Sequence, residues 1–175
     1  MSKVILYIAA SLDGYIATSD GSVSWLDEFS DGSIDYGFHE FFDTTDINIL
    51  GATTYEQILG MDSQWPYQTK TFVATKRELP KPDGADIEFH DSSVAELVER
   101  ARSMASKNIW LVGGASLAQS FLREGLLDEL IITVMPLTLG DGIALFQKPG
   151  AKTRVKLLNM STYDNSSYQV HYSLN

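Results

Sequence analysis

The sequence predicts an α/β protein with a mostly parallel central sheet and antiparallel strands at its C-terminal end. Short apolar runs alternate with stretches of helical periodicity over residues 4–134, an order that is typical of parallel sheets covered by helices. Residues 155–163 and 168–174 instead form a predicted hairpin around a turn at 164–165. No repeat or linker divides the 175 residues, so we expect one domain over residues 1–175.

The individual elements follow from apolar spacing and from turn residues. Residues 4–10 are almost entirely apolar, as in a strand covered on both faces, whereas residues 168–174 alternate with polar residues and leave one face in water. Apolar residues at the i, i+4, i+7 and i+8 positions predict a helix over 34–42, and a capping box, Ser93-x-x-Glu96, opens another. The remaining predicted strands cover residues 15–17, 47–50, 71–75, 87–89, 109–112 and 130–134, and the remaining helices begin near residue 53 and after residue 114.

Composition narrows the classes of function. Lys and Arg number 13 against 23 Asp and Glu, so the formal net charge is −10, and such a surface repels nucleic-acid backbones and anionic lipids. The chain has no cysteine, which excludes disulfides, thiolate nucleophiles and cysteine-bound metals. The three histidines are scattered, so we expect no metal site, and no apolar run reaches the roughly 20 residues of a membrane span. We therefore expect a cytoplasmic protein that acts on a small molecule, without nucleic-acid or membrane partners.

The segment Val112-Gly113-Gly114-Ala115-Ser116-Leu117 is the strongest indication of a ligand site. A buried strand runs into two glycines, and a helix then begins. Glycines let a phosphate approach the backbone, and the free N–H groups and the dipole of a helix N-terminus bind it. Ser116 adds a hydroxyl. The alternative is a tight turn between strand and helix that requires glycine for steric reasons alone.

Two further strand ends carry residues suited to anions. Gly51 is followed by Ala52, Thr53 and Thr54 at a helix start, where the threonines are ligand-binding hydroxyls or, for Thr53, an N-cap. Thr75-Lys76-Arg77 closes another strand, and a positive pair there would hold a pyrophosphate or a 2′-phosphate; the alternative is a solvated loop. Ligands of such sheets bind beyond the carboxyl ends of the strands, so the two helix openings favour one dinucleotide site.

Two carboxylates are candidate catalytic residues. Asp35 lies on the predicted helix over 34–42, on the side of Phe38 and Phe42, where a carboxylate is costly unless it is paired. It would orient a substrate amine or supply a proton, or else stabilise the helix N-terminus. Asp13, before Gly14, is either a turn former or a substrate contact.

Five segments occur in an order shared with a known family: Ala9-Ala10-Ser11-Leu12-Asp13-Gly14-Tyr15-Ile16-Ala17, Gly51-Ala52-Thr53-Thr54-Tyr55-Glu56, Val73-Ala74-Thr75-Lys76, Val112-Gly113-Gly114-Ala115-Ser116-Leu117 and Pro136-Leu137-Thr138-Leu139-Gly140-Asp141-Gly142. By these segments, which extend to about residue 146, the chain resembles the dihydrofolate reductase-like fold family. The resemblance is closest to the reductase domain of bacterial bifunctional riboflavin-biosynthesis deaminase-reductases. It implies a three-layer sandwich, with helices on both faces of the central sheet.

The resemblance also implies a cofactor and a reaction. NADPH would lie across the carboxyl edge of the sheet, and a hydride would pass directly from the nicotinamide C4 to a C=N-type carbon, the protein supplying position and electrostatics. The implied cofactor-binding residues are Ala10, Ile16 and Ala17 at the nicotinamide, Gly51, Thr53, Thr54, Gly113, Gly114, Ala115 and Ser116 at the phosphates with Leu117 beside them, and Thr75 and Lys76 at the 2′-phosphate.

Two departures from the family qualify this prediction. The family often has Arg directly after the first glycine, where this chain has Ala52, and losing that contact would weaken NADPH binding roughly ten- to a hundredfold. The chain also shows no deaminase segment, which predicts a reductase-like protein without one.

We therefore predict an NADPH-dependent reductase of a small heterocyclic or imine-like substrate, resembling 5-amino-6-(5-phosphoribosylamino)uracil reductase. One alternative is dihydrofolate reductase activity, in which Asp35 would hold the substrate as an acidic residue of the first helix does in those enzymes. The other is a nucleotide-binding dimer without catalysis. The resemblance further implies a homodimer.

Overall fold

The computed structural model describes residues 1–61, 64–148, 150 and 152–174. Its strands are β1 (Val4–Ser11), β2 (Tyr15–Ala17), β3 (Thr45–Gly51), β4 (Lys70–Ala74), β5 (Ile87–His90), β6 (Asn108–Gly113), β7 (Glu129–Met135), β8 (Ile143–Ala144), β9 (Lys156–Thr162) and β10 (Tyr168–Ser173). Its helices are α1 (Phe38–Asp43), α2 (Ala52–Met61), α3 (Val94–Met104) and α4 (Ala115–Arg123), together with a 3₁₀ helix over Ser24–Phe29.

The described strands form one large sheet and one small one. The large sheet has the order β5-β4-β3-β6-β1-β7-β10-β9. Its first six strands are parallel, β10 is antiparallel to β7, and β9 is antiparallel to β10. β2 and β8 form a separate antiparallel pair. This topology confirms the predicted class, a mostly parallel sheet with antiparallel C-terminal strands.

Helices cover both faces of the large sheet. On one face, α3 and α4 bury residues such as Leu97 and Phe121 in the main core. On the other face, Phe41 of α1 packs against Trp110, with ring centroids 5.9 Å apart, and α2 buries Tyr55 against the outer strands. The three layers that the resemblance implies are therefore present. No helix in the described part of the chain is long and apolar enough to cross a membrane.

The structure corrects three details of the prediction. Helix α1 begins at Phe38 rather than at residue 34, because Tyr36 and Gly37 adopt φ values of 56° and 78° that a helix cannot contain. The 3₁₀ helix and strand β8 are not predicted from the sequence. Thr53 is not an N-cap, because α2 already begins at Ala52. The capping box that opens α3 is confirmed: the Ser93 side chain accepts from the Glu96 N–H.

The C-terminal hairpin has the predicted strands and an irregular outer edge. β9 is the last strand of the sheet, and among the described strands it pairs with β10 alone. His171 lies opposite Asn159 and Tyr172 lies opposite Leu157, so Leu158 is an extra residue that forms a β-bulge. The free edge of β9 is therefore interrupted in its middle.

Glu129 should make the stability of the protein depend on pH. It lies at the edge of the sheet opposite the carboxyl ends of the parallel strands. Burial raises the pKa of this carboxyl, but hydrogen bonds and charge from Lys3 and His171 outweigh burial, and the net pKa is lowered from its usual 4.5. A carboxyl with a lowered folded-state pKa stabilises the fold above the unfolded pKa, and the stabilisation disappears as the pH falls through the folded pKa. We expect Glu129→Gln to lower the free energy of unfolding by about 2 kcal/mol at neutral pH. The difference from wild type should shrink below about pH 4.5.

Thermal unfolding of wild type and variant between neutral pH and pH 3 measures this difference. Glu99→Gln, on the exposed side of α3, is the matched control and should change stability little at any pH. A Glu129→Gln deficit that stays constant over the whole range would contradict the assigned role of the Glu129 charge.

Candidate functional site

An elongated cavity of about 580 Å³ opens at the carboxyl edge of the parallel strands. Its wall includes Ala74 at the end of β4, Gly51 on β3, Val112 on β6, and Ile8 and Ala9 on β1. Four neighbouring strands spaced about 4.8 Å apart span about 14 Å. Ligand pockets typically occupy roughly 300–1,000 Å³, so the cavity has the size of a ligand site and borders four neighbouring strands.

Two helix N-termini border the middle of this cavity. Helix α2 begins at Ala52, and α4 begins at Ala115 after the N-cap Gly114, which provides no side-chain cap. Thr53, Thr54 and Ser116 also line the cavity, and none of their hydroxyls hydrogen-bonds to another described residue. Free backbone N–H groups, hydroxyls and two helix dipoles at one place are suited to binding an anion.

Glycines allow the two helix openings to come close together. A methyl group added at Gly114 would lie 3.1 Å from Oγ1 of Thr54, which is tighter than ordinary contact. One added at Gly51 would lie 3.6 Å from the carbonyl oxygen of Gly113. Gly113 itself has a φ of 124°, which residues with a side chain rarely adopt. At Gly113, therefore, the backbone conformation alone explains the glycine. Gly114 borders the cavity, so a side chain there would fill space next to the anion-binding groups.

The end of the cavity next to β1 is apolar. Side chains from β1, from the β2–β8 pair, from the 3₁₀ helix and from the loop before it surround this end: Ile8, Ile16, Ala17, Val23, Leu26 and Ile143. The Gln57 Nε2 donates to the carbonyl oxygen of Gly21 at 2.6 Å, which fixes this loop to α2. On the other side, a methyl group at Gly142 would lie 2.2 Å from the carbonyl oxygen of Ala17, so β8 approaches β2 very closely.

No described residue of the cavity wall carries a charge or an ionisable side chain. Lys148, which is exposed, directly follows the wall residue Gln147, and two more cations follow Ala74 at the β4 end. Lys76 is exposed, and Arg77 binds both carboxylate oxygens of Glu56, at 3.0 and 2.6 Å. The described residues also bring together no group of three or more possible metal ligands. The wall can therefore orient a ligand and bind an anion through dipoles, but it supplies no acid or base.

Most of the predicted cofactor residues line this cavity. Those in its wall are Ile16, Ala17, Gly51, Thr53, Thr54, Gly114, Ala115, Ser116 and Leu117. The structure brings these residues together from β2, β3, α2 and α4, as expected for two helix openings at one sheet edge. Their binding role itself stays a prediction.

Four predicted cofactor residues lie outside the wall. The side chain of Ala10 is 2% exposed and packs in the main core, while Ala9 borders the cavity instead. Gly113 is buried behind Gly114. Thr75 and Lys76 lie just beyond Ala74, where the cavity ends. The Thr75 N–H donates to the carbonyl oxygen of His90 at 2.9 Å, so the backbone of Thr75 still follows β5 beyond the end of β4.

Neither candidate catalytic carboxylate is among the residues of the cavity wall. Asp13 accepts from the Leu139 and Gly140 N–H groups at 3.0 and 2.7 Å and from the Ser11 hydroxyl. The Ser11 hydrogen bond, together with those two N–H groups, holds the pKa of Asp13 below its usual value. These hydrogen bonds agree with the alternative in which Asp13 stabilises a turn rather than contacting substrate. Asp35 precedes α1, where it bonds to the ring and the N–H of His39.

Sequence reasoning missed several residues of the wall. They are Ile8, Ala9, Gly21, Gln57, Ala74, Val112, Ser120, Ile143 and Gln147. Gln57 was detectable, because it follows Thr53 by one helical turn and so lies on the same face of α2. Ile143 follows the Gly140-Asp141-Gly142 segment, but its pairing with β2 is a long-range contact that no local pattern indicates.

The fold is that of the dihydrofolate reductase-like proteins. Dihydrofolate reductase from Enterococcus faecalis, solved in complex with NADP(H), is 16% identical and superimposes with a TM-score of 0.69, with 99% of this chain and 96% of that chain covered. A Thermotoga maritima diaminohydroxyphosphoribosylaminopyrimidine deaminase/5-amino-6-(5-phosphoribosylamino)uracil reductase is 18% identical with a TM-score of 0.74, over 99% of this chain and 57% of that one.

Sequence similarity identifies the family within this fold. Residues 61–168 match the family described as RibD C-terminal domain. The Bacillus subtilis (strain 168) protein YwjB is 40% identical over 170 residues, which is 97% of each chain. A crystal structure from Shewanella sp. PV-4 is 27% identical, with a TM-score of 0.88 and 99% of each chain covered. The chain belongs to the RibD C-terminal domain family.

Proposed function

We propose that this protein is an NADPH-dependent reductase that transfers a hydride to a C=N-type carbon of a small heterocyclic or imine-like substrate. The reaction would resemble that of 5-amino-6-(5-phosphoribosylamino)uracil reductase in riboflavin biosynthesis. One observation carries the proposal: a single elongated cavity at the carboxyl edge of the sheet receives two helix N-termini and has an apolar end. Membership in the RibD C-terminal domain family supports it.

The residues of the cavity fit the parts of a nicotinamide dinucleotide. The pyrophosphate would lie between Thr54 and Ser116, because the helix N–H groups and the free hydroxyls are there. The nicotinamide would pack at the apolar end against Ile16 and Ala17. The adenosine would extend toward β4, and its 2′-phosphate would reach Lys76.

The chain's own contribution to the reaction would be orientation. Bound NADPH supplies the hydride, so that the substrate carbon gains a C–H bond, the adjacent nitrogen gains a proton, and NADP⁺ is left. Since no described side chain of the wall is ionisable, that proton would come from water. The apolar side chains would hold the two reacting carbons together and exclude competing water from the site.

We expect the protein to bind NADPH more tightly than NADH, because only NADPH places a phosphate near Lys76. Replacing Lys76 by alanine should weaken NADPH about tenfold and leave NADH unchanged. Titrations followed by quenching of tryptophan fluorescence, with thermal unfolding as a check, measure both affinities. Lys152→Ala, an exposed lysine next to β9, is the matched control and should change neither affinity. Equal binding of the two cofactors would contradict the assigned 2′-phosphate contact, and absent binding would contradict the proposed function.

The uncharged wall favours a second candidate function, a nucleotide-binding protein without catalysis. Such a protein would bind NADPH with the same residues but would not oxidise it. Steady-state NADPH oxidation with a broad panel of imine-like heterocycles separates the two. Specific turnover of any of them would exclude the second candidate, and tight binding without turnover would favour it. Dihydrofolate reductase activity, the other alternative, would require Asp35 to reach the substrate, and Asp35 is not among the residues of the cavity wall.

We also propose that the protein is cytoplasmic and that it works as a homodimer. The acidic, cysteine-free composition supports the first proposal. The exposed apolar side chains at β9 support the second.

A further inference from the structure

Lys and Arg are distributed unevenly along this chain, and none occurs in residues 4–69. Two further segments at the carboxyl edge of the parallel strands, 136–142 and the turn 163–167 between β9 and β10, also contain none. The acidic residues in 11–44 are Asp13, Asp20, Asp27, Glu28, Asp31, Asp35, Glu40 and Asp43, and Asp141 and Asp164 add to them. The loops at this edge therefore carry negative charges without positive ones.

These loops adjoin the apolar end of the cavity. Leu26 of the 3₁₀ helix lines that end, and so does Ile143, which directly follows the segment 136–142. The loop before α1 is tied to the turn between β9 and β10, because the Asn165 Nδ2 donates to the Tyr36 hydroxyl at 2.6 Å. The negative loops thus lie next to the place proposed for the nicotinamide, where a substrate would have to react.

The negative charges of these loops are not neutralised by cations. Among the described residues, no carboxylate in 11–44 pairs with Lys or Arg, and only Asp35 has a charged partner, His39. A hydrogen bond from the Thr18 hydroxyl holds the pKa of Asp20 below its usual value, so this carboxylate is ionised at neutral pH. Negative charges around a cleft raise the local concentration of positive ligands and repel negative ones.

The cations of this edge lie elsewhere. Lys76 and Arg77 follow β4, which is three strands away from β1, or about 14 Å. Arg77 is also paired with Glu56. Lys148 is exposed and is the one described cation directly next to a wall residue, Gln147, in the chain. A phosphate on the substrate would therefore meet many carboxylates and at most one lysine.

We infer that the substrate is a cationic imine, protonated before it binds, that carries no phosphate or carboxylate group. The inference rests on the proposed reductase function. The carbon of the C=N–H⁺ group would accept the hydride of bound NADPH, so that a C–H bond forms and the π electrons become the nitrogen lone pair. The products are a neutral amine and NADP⁺.

The cavity wall and the charged loops agree in this reaction. A neutral imine needs an acid at the moment of hydride transfer, and the described wall has none. A protonated imine has already taken its proton from water and needs none. The negative loops attract this cation and favour its charged form.

Two permanently cationic imines test the inference through the rate of NADPH oxidation. They are N-propyl- and N-(3-sulfopropyl)-3,4-dihydroisoquinolinium, which share the reacting bond and differ by one anionic group. The sulfopropyl probe should have a kcat/KM about tenfold lower at low ionic strength, and the difference should shrink with added salt. A steric effect would not change with salt. Equal values, or a salt-independent difference, would overturn the inference.

The phosphorylated pyrimidine separates this inference from the proposed function. Reduction of 5-amino-6-(5-phosphoribosylamino)uracil with a higher kcat/KM than its phosphate-free form would overturn the inference and support the reductase function. Absent binding of NADPH would contradict the function itself and the inference with it.

Charged nitroxides measure the field at the cavity without any turnover. In the free protein, a cationic aminomethyl nitroxide should relax the Leu26 N–H more strongly than an anionic carboxy nitroxide does, and the Lys76 N–H should show the smaller ratio. Stronger relaxation of the Leu26 N–H by the anionic probe would overturn the inference.

Charge reversal on the 3₁₀ helix tests the source of this preference. Glu28→Lys should lower kcat/KM for the propyl probe about threefold at low ionic strength. Glu99→Lys, the same change at an exposed position of α3, is the matched control and should leave it unchanged. Lys148→Ala should affect neither probe. A loss confined to the sulfopropyl probe in Lys148→Ala would show that Lys148 holds an anionic group and would overturn the inference.

Discussion

Replacing Ser116 by aspartate is expected to abolish the stabilisation of the protein by NADPH without destabilising the free protein. Ser116 is the second residue of α4, whose N-terminus borders the cavity. A carboxylate there is favoured by the helix dipole by about 0.3–1 kcal/mol in the free protein. It also occupies the place proposed for the cofactor pyrophosphate, and two anions about 4 Å apart repel each other by about 1–4 kcal/mol.

The two effects have opposite signs, so one set of melting curves separates them. At NADPH concentrations near 100 times its dissociation constant, wild type should gain about 2.7 kcal/mol. Ser116→Asp should gain well under 1 kcal/mol, while its unfolding temperature without NADPH should equal or exceed that of wild type. Ser116→Ala removes only the hydroxyl and should lose about 1 kcal/mol of the gain. Ala95→Asp, which places a carboxylate at the exposed second residue of α3 and outside the cavity wall, is the control and should keep the gain. A full NADPH shift in Ser116→Asp would exclude the pyrophosphate from the start of α4.

Replacing Gly142 by alanine is expected to cause the largest loss of stability among single-methyl changes in this region. The added methyl carbon would lie 2.2 Å from the carbonyl oxygen of Ala17, and Gly142 has a φ of 144° that other residues rarely adopt. Relieving this overlap requires β8 to move away from β2. We expect a loss of about 3 kcal/mol, which corresponds to a fall of about 6–12 °C in the unfolding temperature of a chain of this length.

Gly140→Ala is the control, because it introduces backbone strain without an overlap between atoms. Its φ is 76°, but a methyl group added there would meet no atom within 4 Å. Gly140→Ala should therefore cost only about 1 kcal/mol. Since Ala17 and Ile143 line the cavity, Gly142→Ala should also weaken NADPH, whereas Gly140→Ala should not. Equal unfolding temperatures for the two variants would contradict the close approach of β2 and β8.

The large elements of this fold are predictable because local patterns encode them. A continuous apolar run at residues 4–10 indicates a strand buried on both faces, and β1 is central in the sheet. The Ser93 capping box marks the start of α3 within one residue. The start of α1 is not predictable from spacing, because its apolar periodicity continues through Tyr36 and Gly37, whose positive φ values arise from the tertiary structure. Tyr36 is held there by a hydrogen bond from Tyr7 to its carbonyl oxygen.

The sequence predicts those parts of the candidate site that lie at the ends of strands. Gly51 and Gly114 follow buried strands, and the rule for parallel sheets brings them to one edge. The catalytic roles suggested for Asp13 and Asp35 stay predictions, and the sequence leaves them open for a different reason. A carboxylate next to glycine or near a helix start is equally compatible with a local hydrogen bond, and the sequence alone does not distinguish the two. In the structure, both carboxylates are engaged by groups close to their own loops or by the 136–142 segment.

The bulge at Leu158 has a consequence for the solubility of the protein. An unbroken, uncharged edge strand is a template to which further copies add one after another, and such addition leads to fibres. In β9 the inserted residue divides the edge into two short pieces, so an incoming strand cannot form hydrogen bonds in one register along its length. One extra residue thus removes the continuous edge that such stepwise addition requires.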